Sequence, residues 1–312
     1  MKKSTKMILS LAAILLVGFA LILALAPARK KSEKLSIVAT NFPAFDFARA
    51  VAGDRAEIKM LIRPGVETHD FEPTPSDIID IKNSQLFVFV GGESDDWVEN
   101  ILNDLDVEKT KIFKMMDSVA LVEEEITEGM EGDSDEKEYD EHVWTSLKNA
   151  QKIVNGIKTE LINISPENKD FFEENAKNYL EKLKNLDAEF EKIVRNGNRK
   201  TLVFGDRFPF RYLVDDYGLD YFAAFPGCSE QTEASSQTLA FLVDKIKSEN
   251  IPVVLKIEQS SSKIARTLSD ATGAKILTLN SAHTVSADDF KSGKTYVDLM
   301  TENLKVLEEA LK

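Results

Sequence analysis

The feature that most constrains the fold is one long stretch of helical periodicity in the middle of the 312-residue chain. It begins at Ser165-Pro166, an N-cap residue followed by proline at the first helical position, and ends before Asn196-Gly197. Apolar residues recur through it at helical spacing. About 30 residues of helix would span about 45 Å, which is more than one small domain needs. The sequence therefore predicts a rigid linker helix over residues 165–196 that packs along two lobes.

Short apolar runs typical of β-strands occur four times on each side of this helix, alternating with amphipathic stretches as in βα units. The predicted strands are residues 35–40, 57–62, 86–91, 111–115, 201–205, 220–225, 253–257 and 274–279. The pattern predicts an α/β fold of two (β/α) lobes, each with a four-stranded sheet. The N-terminal lobe is expected at 35–164 and the C-terminal lobe at 197–312.

The N-terminal segment, residues 1–34, predicts export from the cytoplasm. It has seven basic residues and one acid, and the run between Lys6 and Arg29 is uncharged and long enough to cross a bilayer. A cleaved signal peptide and an uncleaved N-terminal membrane anchor both remain open. No cysteine follows the run, which excludes a lipid anchor. We therefore expect an extracytoplasmic protein at a bacterial cell surface, with no other contact to the membrane.

The charge balance excludes one class of partner. The chain carries 39 basic and 53 acidic residues, a net charge of −14, so it lacks the basic surface that a nucleic-acid-binding protein needs. Eleven of the acids and a single lysine lie within residues 123–141. We predict a mobile acidic loop there, without apolar periodicity. This acidic loop is either a solvated run of charges without a function or a segment that attracts cations towards His142.

Three histidines are the candidate ligands, and each lies in a loop at the loop end of a βα unit. They are His69, His142 and His283. Loops that follow the carboxyl ends of the strands are where α/β lobes form their binding sites. Any one of the three histidines is readily explained as a surface or capping residue. The coincidence of all three favours a metal site, since imidazole is a common ligand of zinc.

Several segments resemble the metal-binding substrate-binding proteins of bacterial zinc and manganese ABC transporters (cluster A-I). They are PGVETHDFEPTPSD, GGESDDWVENIL, YDEHVWTSLKNA, the long helix and GKTYVDLMTENLKVLEEAL, in that order over nearly all of residues 35–312. The resemblance implies two (β/α) lobes joined by a rigid helix, with the metal between them. It also implies that His69 and His142 are the first two ligands. Zinc members often carry a histidine-rich loop where this chain is acidic.

The second lobe departs from the family pattern. The third ligand, usually His or Glu, falls where this chain reads VFGDRF, which offers only Asp206. The fourth, an acid, falls at or beside Ala282-His283, so His283 is expected to replace it. The predicted set is His69, His142, His283 and Asp206, suited to tetrahedral zinc, with water as the alternative to Asp206.

Two more residues near the predicted site are candidate ligands. Glu258 ends the strand VVLKIE and is the second choice of acid, although an ion pair with Arg207 or Arg211 is the preferred interpretation. Cys228, the only cysteine, is a possible soft ligand, but a lone cysteine in an apolar setting is usually inert.

The resemblance predicts a solute-binding protein, not an enzyme. It would act as a monomer that captures zinc, or else manganese, as transported cargo and delivers it to an ABC transporter permease. An extracellular zinc-dependent hydrolase is one alternative, but HExxH, GxSxG, P-loop and GxGxxG motifs are absent from the sequence. A metal-dependent cell-surface adhesin is the other.

Overall fold

The structure is a computed structural model that describes residues 34–66, 71–130, 138–227, 229 and 233–312. The predicted signal peptide or anchor, apart from Lys34, lies outside the described residues, as do His69 and Cys228. Within the described part of the chain, no helix combines the length and the apolar character that a membrane span requires.

The first half of the chain forms a parallel four-stranded sheet in the order β2-β1-β3-β4. Its strands are β1 Leu35–Ala39, β2 Ala56–Met60, β3 Leu86–Phe89 and β4 Lys111–Lys114. The helices that belong to it are α1 Phe42–Ala52, α2 Pro75–Asn83 and α3 Asp96–Leu102. Every residue of β3 is buried, as expected for a central strand of a parallel sheet covered on both faces.

The second half repeats the same plan, with a parallel sheet in the order β6-β5-β7-β8. Its strands are β5 Thr201–Phe208, β6 Asp220–Pro226, β7 Val253–Lys256 and β8 Lys275–Thr278. Its helices are α6 Arg211–Tyr217, α7 Ser236–Ser248, α8 Lys263–Thr272, α9 Ala287–Ser292 and α10 Tyr296–Ala310. All eight predicted strands are confirmed. β5 extends three residues beyond its predicted end, past a register shift between Phe204 and Arg207.

Two helices connect the halves: α4 Leu147–Ile164 and the long helix α5 Lys169–Asn196, which has 28 residues. The predicted start of the linker helix is wrong: the first helical residue is Lys169, three positions after the predicted Pro166. Residues Pro166–Asn168 form a 3-10 turn, and the Ser165 hydroxyl donates to the Glu167 carboxylate instead of accepting from a helix amide. Ser165 ends α4, and the long helix begins only after the turn.

The buried face of α5 lies within one continuous apolar core. Seven residues spaced three or four apart form this face: Phe172, Ala176, Tyr179, Leu183, Leu186, Phe190 and Val194. The same core cluster contains Ile37 of β1 and Leu255 of β7. Burial of large side chains contributes about 1.5–3 kcal/mol each, so this face ties both sheets to one rod.

Candidate metal centre

Two of the three predicted histidines meet in the interior. His142 precedes a 3-10 turn, Val143–Thr145, and His283 lies in the loop after β8. Their ring centroids are 5.1 Å apart, with the ring planes nearly perpendicular. Both side chains are buried. The fold therefore brings together imidazoles from the two halves of the chain, 141 positions apart in sequence.

Asp140 orients the first imidazole. Its Oδ1 accepts a hydrogen bond from the backbone N–H of His142 at 2.7 Å and lies 3.1 Å from Nδ1 of the same ring. A proton on Nδ1 satisfies the second contact and leaves the lone pair on Nε2. A carboxylate behind a histidine in this way is the usual partner of a metal-binding imidazole.

The charges around His142 favour a cation. Burial lowers the pKa of His142, but the carboxylates of Asp140 and two nearby glutamates outweigh it, so the pKa lies above its ordinary value. The same field attracts a metal ion, which competes with the proton for the ring.

Glu141 is a candidate ligand that the sequence analysis missed. One ligand atom each from Glu141, His142 and His283 lies within 4.8 Å of the other two, and all three residues are buried. The Glu141 carboxylate also accepts from the Ser94 backbone N–H at 2.9 Å and from its hydroxyl. In the sequence it is one acid among eleven, and only its position beside His142 marks it.

Glu258 holds the loop that carries His283. Its carboxylate accepts from the backbone N–H and the hydroxyl of Ser281, both at 2.7 Å, and from the His283 N–H at 3.1 Å. Between them Ala282 takes a positive φ of 57°, which is strained for a residue with a side chain. Burial raises the pKa of Glu258 above its usual value, even though these hydrogen bonds favour the carboxylate.

The predicted ion pair of Glu258 with Arg207 or Arg211 is wrong. Arg211 pairs with Asp215 and Glu125, and no salt bridge of Glu258 occurs among the described residues. The loop amides supply the positive partial charges that the carboxylate needs, so a cationic side chain is not required.

Asp206 is not one of the three residues whose ligand atoms lie within 4.8 Å of one another, which are Glu141, His142 and His283. Its Oδ1 accepts from the Arg207 N–H at 2.9 Å and its Oδ2 from the Ile257 N–H at 3.2 Å. The carboxylate thus joins β5 to the end of β7. Its role as a ligand stays a prediction.

His69 and Cys228 lie outside the described residues, but residues near them in sequence contact His142 or the loop that carries His283. The Gly65 N–H, four positions before His69, donates to the Thr284 hydroxyl at 3.1 Å. A Cβ built on Gly227, the residue before Cys228, would lie 3.1 Å from Cε1 of His142. The chain therefore passes beside His142 immediately before Cys228, and Gly65 is hydrogen-bonded to the loop that carries His283.

The acidic segment 123–141 is attached at both ends. Glu123 and Tyr139 form an antiparallel bridge, and the Asp140 N–H donates to the Val122 carbonyl at 3.0 Å. Met130 is buried and Ile126 packs against the same core. The segment has no apolar periodicity, but Ile126 and Met130 still contact the core, and residues 131–137 lie outside the described part.

A family model described as "Zinc-uptake complex component A periplasmic" (ZnuA) matches residues 37–310. The chain belongs to this family. That confirms the resemblance drawn from the segments around His69 and His142, and the two-sheet fold with its long helix agrees with it.

Individual relatives are similar over nearly the whole chain. The zinc-binding lipoprotein AdcA of Streptococcus pneumoniae (strain ATCC BAA-255 / R6) is 34% identical over 99% of this chain, which spans 61% of the length of that relative. The high-affinity zinc uptake system protein ZnuA of Bacillus subtilis (strain 168) is 32% identical, over 91% of this chain and 90% of that protein. The crystal structure of the Zn(II)-bound ZnuA-like domain of AdcA from S. pneumoniae superposes with a TM-score of 0.76 at 33% identity, covering 89% of this chain and 99% of that one.

Proposed function

We propose that this protein captures a divalent transition metal, zinc, outside the cytoplasm and delivers it to the permease of an ABC transporter. The single observation that carries the proposal is the buried pair of imidazoles, His142 and His283, with a ligand atom of Glu141 within 4.8 Å of both. Family membership and the zinc-binding relatives support it, and they do not favour a hydrolase or an adhesin.

The proposed ligands are the three histidines and one carboxylate. His142 and His283 stand at ligand spacing, and the Gly65 contact supports the addition of His69. Glu141 is the better carboxylate on distance, and Asp206 is the alternative. Three nitrogens and one oxygen suit tetrahedral zinc. Nitrogen-rich sites also bind zinc more tightly than manganese, which is the second candidate cargo.

The remaining parts of the proposal concern the whole molecule. Residues 1–34 would act as a signal peptide or membrane anchor, and residues 35–164 and 197–312 as two metal-binding lobes on the linker helix. The net charge of −14 argues for a soluble monomer at the cell surface, since like charges disfavour self-association.

Metal analysis and zinc titration of the purified protein test the function directly. We expect one zinc ion per chain and weaker binding of manganese. A protein that takes up no zinc in competition with a chelator would refute the capture function.

Substitutions identify the carboxylate ligand. We expect His283→Ala to cost the most affinity, Glu141→Gln to cost more than Asp206→Asn, and Asp206→Asn to act mainly on stability through the β5 to β7 contact. If Asp206→Asn weakens zinc binding more than Glu141→Gln does, Asp206 is the ligand.

A further inference from the structure

Trp144 lies against both imidazoles of the metal centre. Its ring centroid is 5.4 Å from that of His142 and 5.2 Å from that of His283. The side chain is completely buried. Trp144 therefore fills the space between the core and the rings of His142 and His283.

Trp144 makes two hydrogen bonds, one as donor and one as acceptor. Its indole Nε1–H donates to the Ser281 carbonyl at 2.8 Å, and its own carbonyl accepts from the Tyr296 hydroxyl at 2.6 Å. Trp144 follows His142 by two positions, and Ser281 precedes His283 by two. The two segments that carry His142 and His283 are thus hydrogen-bonded to each other.

Asp46 anchors Tyr296 in turn. One carboxylate oxygen accepts from the Tyr296 backbone N–H at 2.9 Å and from the Tyr179 hydroxyl at 3.0 Å, and the other pairs with Arg49. The Tyr296 ring also packs edge-on against Phe47 at 4.9 Å. Tyr296, the first residue of α10, is therefore fixed to α1 and to the long helix α5.

We propose that Tyr296 is a positioning residue for the metal centre, acting through Trp144 and Ser281. We call these three residues the Trp144 latch. The latch holds His142 and His283 at ligand spacing before the metal arrives, so less ordering remains to be done on binding. For the metal to leave, the two imidazoles must separate, and the latch resists that separation. The effect on metal release rests on the proposed function; the link between the two loops does not.

Tyr296→Phe tests the latch with minimal damage, because the ring and its packing remain while the hydroxyl is lost. Tyr217→Phe is a matched control: Tyr217 is also buried, and its hydroxyl donates to Asp187 of α5 at 2.8 Å, not to Trp144 or Ser281. We expect both variants to lower the melting temperature. Only Tyr296→Phe should speed the release of zinc to a chelator, by about fivefold, the change that corresponds to one typical hydrogen bond. Equal release rates in the two variants would overturn the proposal.

Hydrogen exchange of the metal-free protein tests the link without relying on zinc. Loss of the Tyr296 hydroxyl should speed exchange in two segments distant in sequence, 142–146 and 281–285, whereas Tyr217→Phe should leave both unchanged. Trp144→Phe, which breaks the next bond, should give the same pair of changes. If exchange rises only near residue 296, the latch does not exist. If both segments respond but the wild-type protein binds no zinc, the latch stands and the proposed function fails.

Discussion

Replacing Asp140 tests its effect on His142, one of the proposed metal ligands. Asp140→Asn keeps an oxygen that can accept from the His142 backbone N–H, but removes the negative charge beside the ring. Asp140→Ala removes both. The two variants therefore separate the effect of the hydrogen bond from the effect of the charge.

The expected loss of zinc affinity follows from the position of Asp140 beside Nδ1 of His142. Loss of a carboxylate behind a metal-binding histidine typically costs 10- to 100-fold in affinity, or about 1.4–2.7 kcal/mol. Because Asp140→Asn preserves one contact, we expect about a tenfold loss of affinity for it and nearer 100-fold for Asp140→Ala.

The pH dependence of this loss has a definite sign. Asp140 is the main cause that raises the pKa of His142, so removing its charge lowers that pKa. Protons then compete with zinc only at lower pH, and the deficit of the variant should shrink as the pH falls from 8 to 6.

Zinc titrations against a competing chelator at several pH values measure both effects. Asp289→Asn, which neutralises an exposed acid that pairs with Lys294, controls for the change in net charge. An affinity ratio between wild type and Asp140→Asn that stays constant from pH 8 to 6 would show that Asp140 does not set the protonation of His142. An unchanged affinity in Asp140→Ala would exclude His142 as a ligand.

Three further outcomes are expected. Zinc at 100 times its dissociation constant should stabilise the fold by about 2.7 kcal/mol and raise the melting temperature by several degrees, with a smaller rise for manganese, as a thermal scan will show. Asp95→Asn should gain stability relative to wild type as the pH rises from 5 to 8. Burial raises the pKa of Asp95 to about 7, so the folded wild-type protein loses a tightly held proton over that range and its stability falls, whereas the variant has no such proton. Equal pH profiles of the melting temperature in the two proteins would refute this. Deleting residues 131–137 should slow zinc capture at low salt, measured by stopped-flow, and leave the equilibrium affinity unchanged, whereas a large loss of affinity would place a ligand among the deleted acids.

The fold could be predicted from the sequence because its signals are local. Each strand is a short apolar run bounded by turn residues, and the long helix has an apolar residue every three or four positions. The start of that helix was misplaced for a local reason as well. Ser165 and Pro166 have the composition of a helix start, but the Ser165 hydroxyl bonds to Glu167 and a 3-10 turn intervenes.

The site could be predicted only in part, because its contacts are not local. His142 and His283 stood out as two of only three histidines. Glu141 did not, since nothing in a segment with eleven acids shows that Asp140 and Glu141 are buried. The role of Glu258 was misjudged because the backbone amides that bind it have no sequence signature, whereas the arginines considered as its partners are conspicuous.

The continuous packing along α5 limits how this molecule can move. A clamshell motion needs a strip of backbone with few packed side chains about which two bodies can turn, whereas here a rod about 42 Å long has its apolar face in one core with residues of both sheets. If the protein delivers zinc as proposed, uptake and loss of the metal should proceed by small shifts of the loops at residues 140–146 and 280–286. Small-angle X-ray scattering should then give the same radius of gyration for the empty and the loaded protein, and a transporter that receives the metal would have to distinguish the two states by loop conformation and local charge, not by overall shape.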